Sequence, residues 1–526
     1  MAIFDKANLV MIPSQYKDGK LYNIKPEDQS GAFEFERGSS ATRVNSDGLI
    51  ERVEPLNQDV EVIVNGSFTG GSTGWVLTTS WSYDVDRVFF DRSQNRTDNL
   101  IQVNQQWTIY QGKYYRLSFD IENVDQNDLS NIFIRIVDVA GTGVQDIGNN
   151  YQNYSDGNHT IIFSPVADST RIDFYARGDI SSNPGGSFYI DNVSIKEVQG
   201  NTPRIDYSGT EPALLLEPQR TNEVTYSEDF SQWSNLGTRV AFEHNTTDTL
   251  SPEGKYNATK LTKNISGNPT LRLSTITSGN PYVFSCWAKA GTSDKIVLDI
   301  SDVDNTTFTL TDEWQRFEVT TNSAANNWVD IELRTDAEIG SYVYVWGAQA
   351  EQGSYATSYI STNGTTETRL ADVCYGGGDA SVFNDSEGTL YLEYEPEKDL
   401  QMVSLSNGTS AEAIWLYLVN SGTSLSVFVN TGGGQVASIN CGTYESITAN
   451  SGVVKVAATY KSNRFKAFLN GSLIATDTSG TTPNGLNVLE FKYPTGSAYN
   501  TKAKIRALYY FPEELTDTQL QELTTI

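Results

Sequence analysis

The chain has 526 residues, room for three or four domains at roughly 150 residues each, every one large enough to bury its own core. Only 19% of residues are charged and the formal net charge is -28, so the clustered Lys and Arg that bind phosphate backbones or anionic lipid are lacking. Nucleic-acid binding and membrane insertion are excluded on this basis. The acidity itself is explained by solubility alone.

In chain order, the N-terminal MAIFDKANLVMIPSQYK carries one apolar run, LVMIP, too short for a signal-peptide core or a bilayer span. The expectation is a protein made and kept in the cytoplasm, with residues 1–55 a short attachment segment. Its many Asn-x-Ser/Thr triplets then reflect composition and not glycosylation. Residues 56–200 open with Asn65-Gly66-Ser67-Phe68 and Gly74-Trp75, continue through GKYYRLSFDIE (112–122) and HTIIFSP (159–165), and close with GSFYIDNVSIKE (186–197). After a connector at 201–225, residues 226–370 repeat these landmarks. YSEDFSQW (226–233) opens, GNPYVFSCWAKA (279–290) and WQRFEVT (314–320) follow, and GSYVYVWGAQAEQG (340–353) closes. Two sandwiches of one kind are expected.

Period-two alternation carries the strand assignments: Tyr115, Leu117, Phe119 and Ile121 face inward, Arg116, Ser118 and Asp120 outward. Residues 371–526 read as a third sandwich, with strands in GTLYLEYEP (388–396), AIWLYLV (413–419) and VVKVAATYKSNRFKAFLNGSLIATD (453–477). Lys461-Ser462-Asn463 and Asn470-Gly471 are its hairpin turns, since Asn and Gly tolerate positive φ. A short C-terminal helix is predicted, capped by Thr516 with Gln519 closing the box and Leu520 and Leu523 on one face. The fold class is therefore all-β, three tandem antiparallel β-sandwiches.

Catalysis finds little material. The two histidines, His159 and His244, fall in different modules, and Cys286, Cys374 and Cys441 have neither disulfide nor zinc spacing. A glycosidase needs two carboxylates flanking the scissile bond; Glu393 and Glu395 come closest, yet acids alternating along one strand read first as a solvated face. No catalytic residue is assigned. Sugar binding would use exposed aromatic faces, and Trp81, Tyr83, Trp107 and Tyr110 are the candidates in the first sandwich, each of them equally a core residue by sequence.

The phrases FERGSSATRVNSDGLIERV (35–53), TPRIDYSGTEPALLLEPQRTNEVTYSEDFSQW (202–233) and SYATSYISTNGTTETRLADV (354–373), about a seventh of the chain, resemble a recurring set in structural proteins of tailed bacteriophages, including phages of Bacteroidetes hosts and the crAss-like group. That resemblance implies a non-enzymatic virion protein, a head or tail fibre or decoration subunit released by lysis. It also implies a homotrimer in contact with other virion proteins, while the rival reading is a depolymerase tailspike. The first sandwich resembles jelly-roll carbohydrate-binding modules, which implies glycan contact and a structural Ca²⁺ at Asp191 of F-Y-I-D, with Asn65 and Ser67 as neighbours. A surface or turn-capping carboxylate is the alternative for Asp191. The second sandwich has Trp346 in the corresponding region, so calcium is expected in the first alone. The third stretch resembles concanavalin-like or laminin-G-like domains through F-x-A-F-L-N-G-S-L and IRALYYF (505–511). In the resembling phage proteins R-G-S-S-A-T-R-V-N leads almost directly into P-R-x-D-Y, so residues 56–200 read as an insertion and residues 1–54 are expected to pack against 201–225. Four beads on a string is the alternative.

Overall fold

Alternating side chains become sheet faces throughout: in strand Tyr114–Glu122, Tyr115, Leu117, Phe119 and Ile121 are buried, and Arg116, Ser118 and Asp120 lie on the other face. The structure is a computed structural model that describes residues 3–14, 16–17, 20–53, 56–91, 97–103, 109–110, 114–122, 130–138, 144–147, 152–154, 156–163, 165, 167–177, 187–199, 202–207, 211–267, 269–302, 304–333, 337–395, 401–418, 424–443, 446–447, 452–494 and 502–526. The chain forms two compact units, Met1–Glu54 together with Thr202–Ile526, and Pro55–Asn201.

The unit Pro55–Asn201 is a sandwich of two antiparallel sheets. One has the order Gly157–Phe163, Tyr114–Glu122, Phe188–Gln199, Arg87–Phe90, Trp81–Asp84, with Leu56–Glu61 also on Phe188–Gln199; the other runs Val144–Asp146, Ser130–Asp138, Ser169–Arg177, Thr97–Val103, Trp75–Leu77. Phe68, Trp75, Phe119, Phe174 and Phe188 are among the residues that fill the space between them. Leu56 is the Cα partner of Gln199, so this unit's first and last strands are neighbours.

Residues 226–370 repeat that strand order. One sheet is Gln315–Thr321, Tyr282–Ala290, Tyr342–Gln352, Thr259–Lys263, Val240–Glu243, and the facing sheet is Asp304–Thr309, Lys295–Ile300, Trp328–Leu333, Thr270–Ser274, Ser234–Leu236. Even the irregularity is shared. The pairing of the two longest strands slips between Ser118 and Asp120 in one sandwich and between Ser285 and Trp287 in the other, opposite a residue of positive φ, Asn192 (51°) or Gly347 (65°).

The third sandwich is not closed by residues 371–526 alone. Its larger sheet runs Arg204–Asp206, Ala213–Leu216, Ala503–Phe511, Glu387–Glu395, Val454–Lys461, Arg464–Leu469, Ser472–Asp477, and Leu9–Met11 also pairs Ala503–Phe511. The facing sheet is Gly434–Thr443, Ser424–Thr431, Ala413–Leu418, Gln401–Ser406, Val488–Glu490. Leu9, Met11, Phe33, Phe35, Ile205 and Leu214 sit in the same core as Leu390, Val456 and Leu508. The N-terminal stretch, read from sequence as an attachment segment, thus supplies strands and core to the C-terminal sandwich, because its Leu-Val-Met run is short, apolar and buried on both faces.

Polar residues of the three long phrases meet in one buried network. Arg37 Nη1 lies 2.8 Å from Asp372, Arg204 Nη1 2.8 Å from Glu217, and Arg369 Nη1 2.9 Å from the same Glu217, with all five side chains essentially inaccessible. Arg204 also bonds Asp372 and donates to the Thr42 carbonyl, and Ser358 N donates to Glu217 at 2.8 Å. Burial opposes the charge on Glu217 most strongly, yet Arg369 and Arg204 hold its carboxyl well below the usual range. Burial likewise pushes Arg37 down to about 10. The network ties residues 37–44 to 202–217 and 357–372, and Tyr207 N donates to the Val44 carbonyl beside it.

Asn470 (φ 47°) and Gly471 (φ 81°) form the expected two-residue turn. Helix Asp517–Thr524 has Thr516 as N-cap, a full capping box with Gln519, and Leu520 and Leu523 buried. Among the described residues no helix is long and apolar enough to cross a membrane.

Candidate functional site

In the second sandwich the sheet containing Trp328–Leu333 has a polar outer face. Alternation turns Ile296, Leu298 and Ile300, and Val329, Ile331 and Leu333, into the core, which leaves Asp299, Trp328, Asp330 and Glu332 on the opposite face. Cross-strand register sets Arg272 beside Asp330 and Asp330 beside Asp299. Arg272 Nε donates to Asp330 Oδ1 at 2.8 Å and its Nη2 to Asp302 Oδ1 at 3.0 Å, while the guanidinium lies 4.1 Å over the Trp328 ring. The face therefore sets an aromatic plane and a fixed cation beside the exposed Asp302 and half-buried Glu332, with Asp299 and Asp330 themselves buried, an arrangement able to stack on and hydrogen-bond polyhydroxylated ligands.

The acids on this face crowd one another. Burial, then the charges of Asp330, Asp302 and Glu332, push Asp299 up to about 7. Burial also raises Asp330, against the pull of Arg272, and raises Glu332.

The first sandwich has a counterpart. Asp173, fully buried, holds the register position of Asp330, opposite Arg135 as Asp330 is opposite Asp299. Two guanidiniums neutralise it: Arg135 Nε at 3.1 Å and Arg171 Nε at 2.6 Å, with Arg135 4.8 Å over the Tyr175 ring.

The residues singled out from sequence are not brought to one place. Trp81 is 5% exposed and packs on Phe90 and Phe188 at 5.1 and 5.8 Å; it is a core residue, because its strand turns that side chain between the sheets. Tyr83 and Tyr110 are exposed, and Trp107 lies outside the described residues. Asn65 spends its amide on its own turn, Nδ2 donating to the Gly71 and Thr73 carbonyls and Oδ1 accepting from Gly70 N. Gly66 beside it has to be glycine, since a Cβ there would stand 1.7 Å from the Val193 carbonyl oxygen. Ser67 is exposed next to Thr69. Asp191 accepts from Asn192 N at 2.6 Å; burial, then Asp86, Glu122 and Asp120, raise its pKa. The charges that act on it are thus carboxylates, and among the described residues it belongs to no group of three acids spaced for a metal ion.

Neither a protein-family model nor a curated protein matches the chain. Among solved structures, the chain is similar to the CBM40 module of a Ruminococcus gnavus IT-sialidase, bound to alpha2,3 sialyllactose, at 21% identity over 28% of this chain and 93% of that one, with a TM-score of 0.24. It is also similar to the CBM22-1-CBM22-2 tandem of Paenibacillus barcinonensis Xyn10C, at 10% identity over 57% and 99%, with a TM-score of 0.26. The third is mouse laminin alpha1 LG4-5, at 11% identity over 48% and 92%, with a TM-score of 0.19. These scores are low, so the β-sandwich assignment rests on the strand orders above and not on the likenesses.

Other acids are engaged structurally. Tyr391 donates to Glu393 at 3.0 Å, Lys455 lies 3.8 Å from it, and Arg506 bonds Glu395 at 2.8 Å. A cleft of about 510 Å³ is lined by Arg52, Glu228, Glu253, Asn257, Tyr359 and Ser361, among others. There Asn257 Nδ2 donates to Glu228 at 2.9 Å and to Glu253 at 3.2 Å, and Tyr359 and Ser361 hydroxyls complete the Glu228 shell. Burial raises the pKa of Glu228 despite those donors. His244 faces Thr259 at 3.2 Å, whereas His159 packs on Phe119 at 5.6 Å in the other unit. All three cysteines are free and buried.

Proposed function

We propose that the chain is a non-enzymatic structural subunit of a tailed-phage virion, a head or tail fibre or decoration protein, whose sandwich modules contact glycans. The observation that carries the glycan part is the outer face of the second sandwich, where Arg272 stacks on Trp328 and bonds the exposed Asp302, with half-buried Glu332 on the same face. An indole plane packs against the apolar side of a pyranose, and pre-oriented guanidinium and carboxylate groups bond its hydroxyls. The virion part is supported by the phage-like phrases, whose Arg37, Arg204, Glu217, Arg369 and Asp372 build the buried network of the larger unit. Assembly as a homotrimer, contact with other virion proteins and release by lysis belong to the same proposal.

Retention of the full chain on immobilised bacterial surface polysaccharides tests the glycan part. Trp328→Ala, at a half-exposed site, should fold normally and lose most of the retention. Equal retention by wild type and variant, or none by either on any polysaccharide, would overturn it. Immunogold labelling of purified particles tests the virion part. Release of oligosaccharides during incubation, abolished by Glu228→Gln, would establish the depolymerase reading instead.

A further inference from the structure

We propose that the outer face of the second sandwich binds one calcium-class divalent cation between Asp299, Asp330 and Glu332. One ligand oxygen from each lies within 4.8 Å of the others. Ca²⁺ holds oxygens at about 2.3–2.6 Å, so two oxygens on opposite sides of the ion stand roughly 4.8 Å apart.

The second observation is an orphaned atom. Asp299 is 3% exposed, its carboxylate belongs to this group, and its Oδ1 accepts no hydrogen bond. A buried carboxylate oxygen without a partner is costly, and a cation would satisfy it. The Asp302 backbone N–H bonds the Asp299 carboxyl, Arg272 donates to Asp330 and Asp302, and Thr270 donates to Glu332 at 3.4 Å, which leaves Asp299 Oδ1 unsatisfied. Asn305 stands opposite Asp299 on the neighbouring strand and adds no charge. Four acids thus share one hydrogen-bonded guanidinium among the described residues.

The first sandwich shows what the position looks like when arginine does this work. Arg135 takes the place of Asp299, and with Arg171 it neutralises Asp173 entirely from protein groups. Among the described residues the cation site belongs to the second sandwich alone.

The test uses the full chain, stripped with chelator, with Tb³⁺ and Ca²⁺ as probes and no glycan present, so the outcome bears on the cation independently of the glycan reading. Tb³⁺ should give emission sensitised by excitation of tryptophan, Trp328 being on the same face, and Ca²⁺ should displace it. Asp299→Asn and Glu332→Gln should each weaken that binding by at least about tenfold. Asp191→Asn should leave it intact. Glu332 is only half-buried, so its variant serves if Asp299→Asn fails to fold. Wild-type affinity in Glu332→Gln and in any folded Asp299→Asn, loss in Asp191→Asn alone, or no uptake of either ion by the full chain would overturn the proposal.

Discussion

Replacing Glu217 by Gln removes one charge and little volume from the buried network. The amide oxygen can still accept from Ser358 N, but Arg204 and Arg369 are left with one carboxylate fewer between them. Breaking a buried ion pair by removing one partner costs about 3–5 kcal/mol, because the remaining charge stays desolvated. The larger unit has about 380 residues. At roughly 2.1 cal/mol/K per residue its unfolding entropy is about 0.8 kcal/mol/K, so if it melts as one block its transition should fall by about 4–6 °C at pH 7. The pH dependence has a definite sign. The folded pKa of Glu217 is depressed, so its contribution is fully present above the unfolded value near 4.5 and disappears as pH falls through the folded value. The gap between wild type and variant should therefore be full at pH 7 and narrow progressively as pH falls below about 4.5. Differential scanning calorimetry across pH measures both, with the transition of Pro55–Asn201 as an internal reference. A variant that melts within about 1 °C of wild type at pH 7, or a gap that does not change with pH, would refute the reasoning.

Three further outcomes are expected. Asp299 has a folded pKa raised to about 7, so in chelator its ionisation destabilises the fold as pH rises from about 4 through 7; Asp299→Asn should match wild type near pH 4 and melt higher at pH 8. Gly471→Ala forces a Cβ at φ 81°, 3.2 Å from Thr525 Oγ1, and should cost about 1 kcal/mol or more in denaturant titration. Excision of residues 55–201 should leave a soluble protein whose melting is within about 2 °C of the larger unit in the intact chain, since Leu56 and Gln199 pair as neighbours and the excised unit has its own core.

Much of the fold was legible in the residues themselves. Tyr115, Leu117, Phe119 and Ile121 alternate because a strand has a period of two, Asn470-Gly471 turns because both residues accept positive φ, and Thr516 with Gln519 caps a helix by local hydrogen bonds. These are short-range constraints, and they hold wherever the segment lies. The acids of the candidate face were legible only in part: Asp299, Asp330 and Glu332 interrupt apolar runs in KIVLDI and WVDIEL, but alternation alone reads them as a solvated face. Their approach to one another depends on the register between strands about thirty residues apart, which no local pattern specifies. Trp81 was ambiguous for a related reason, since an aromatic on a strand faces core or solvent according to what the opposite sheet supplies. Least legible was the closure of the third sandwich by Leu9–Met11 and Ala213–Leu216, and the meeting of Arg37 with Asp372 across 335 positions. Sequence determined which segments are strands, turns and helix through local sterics and hydrogen bonding; tertiary structure alone decided which strands share a sheet and which charges share a site, because those depend on burial between distant segments.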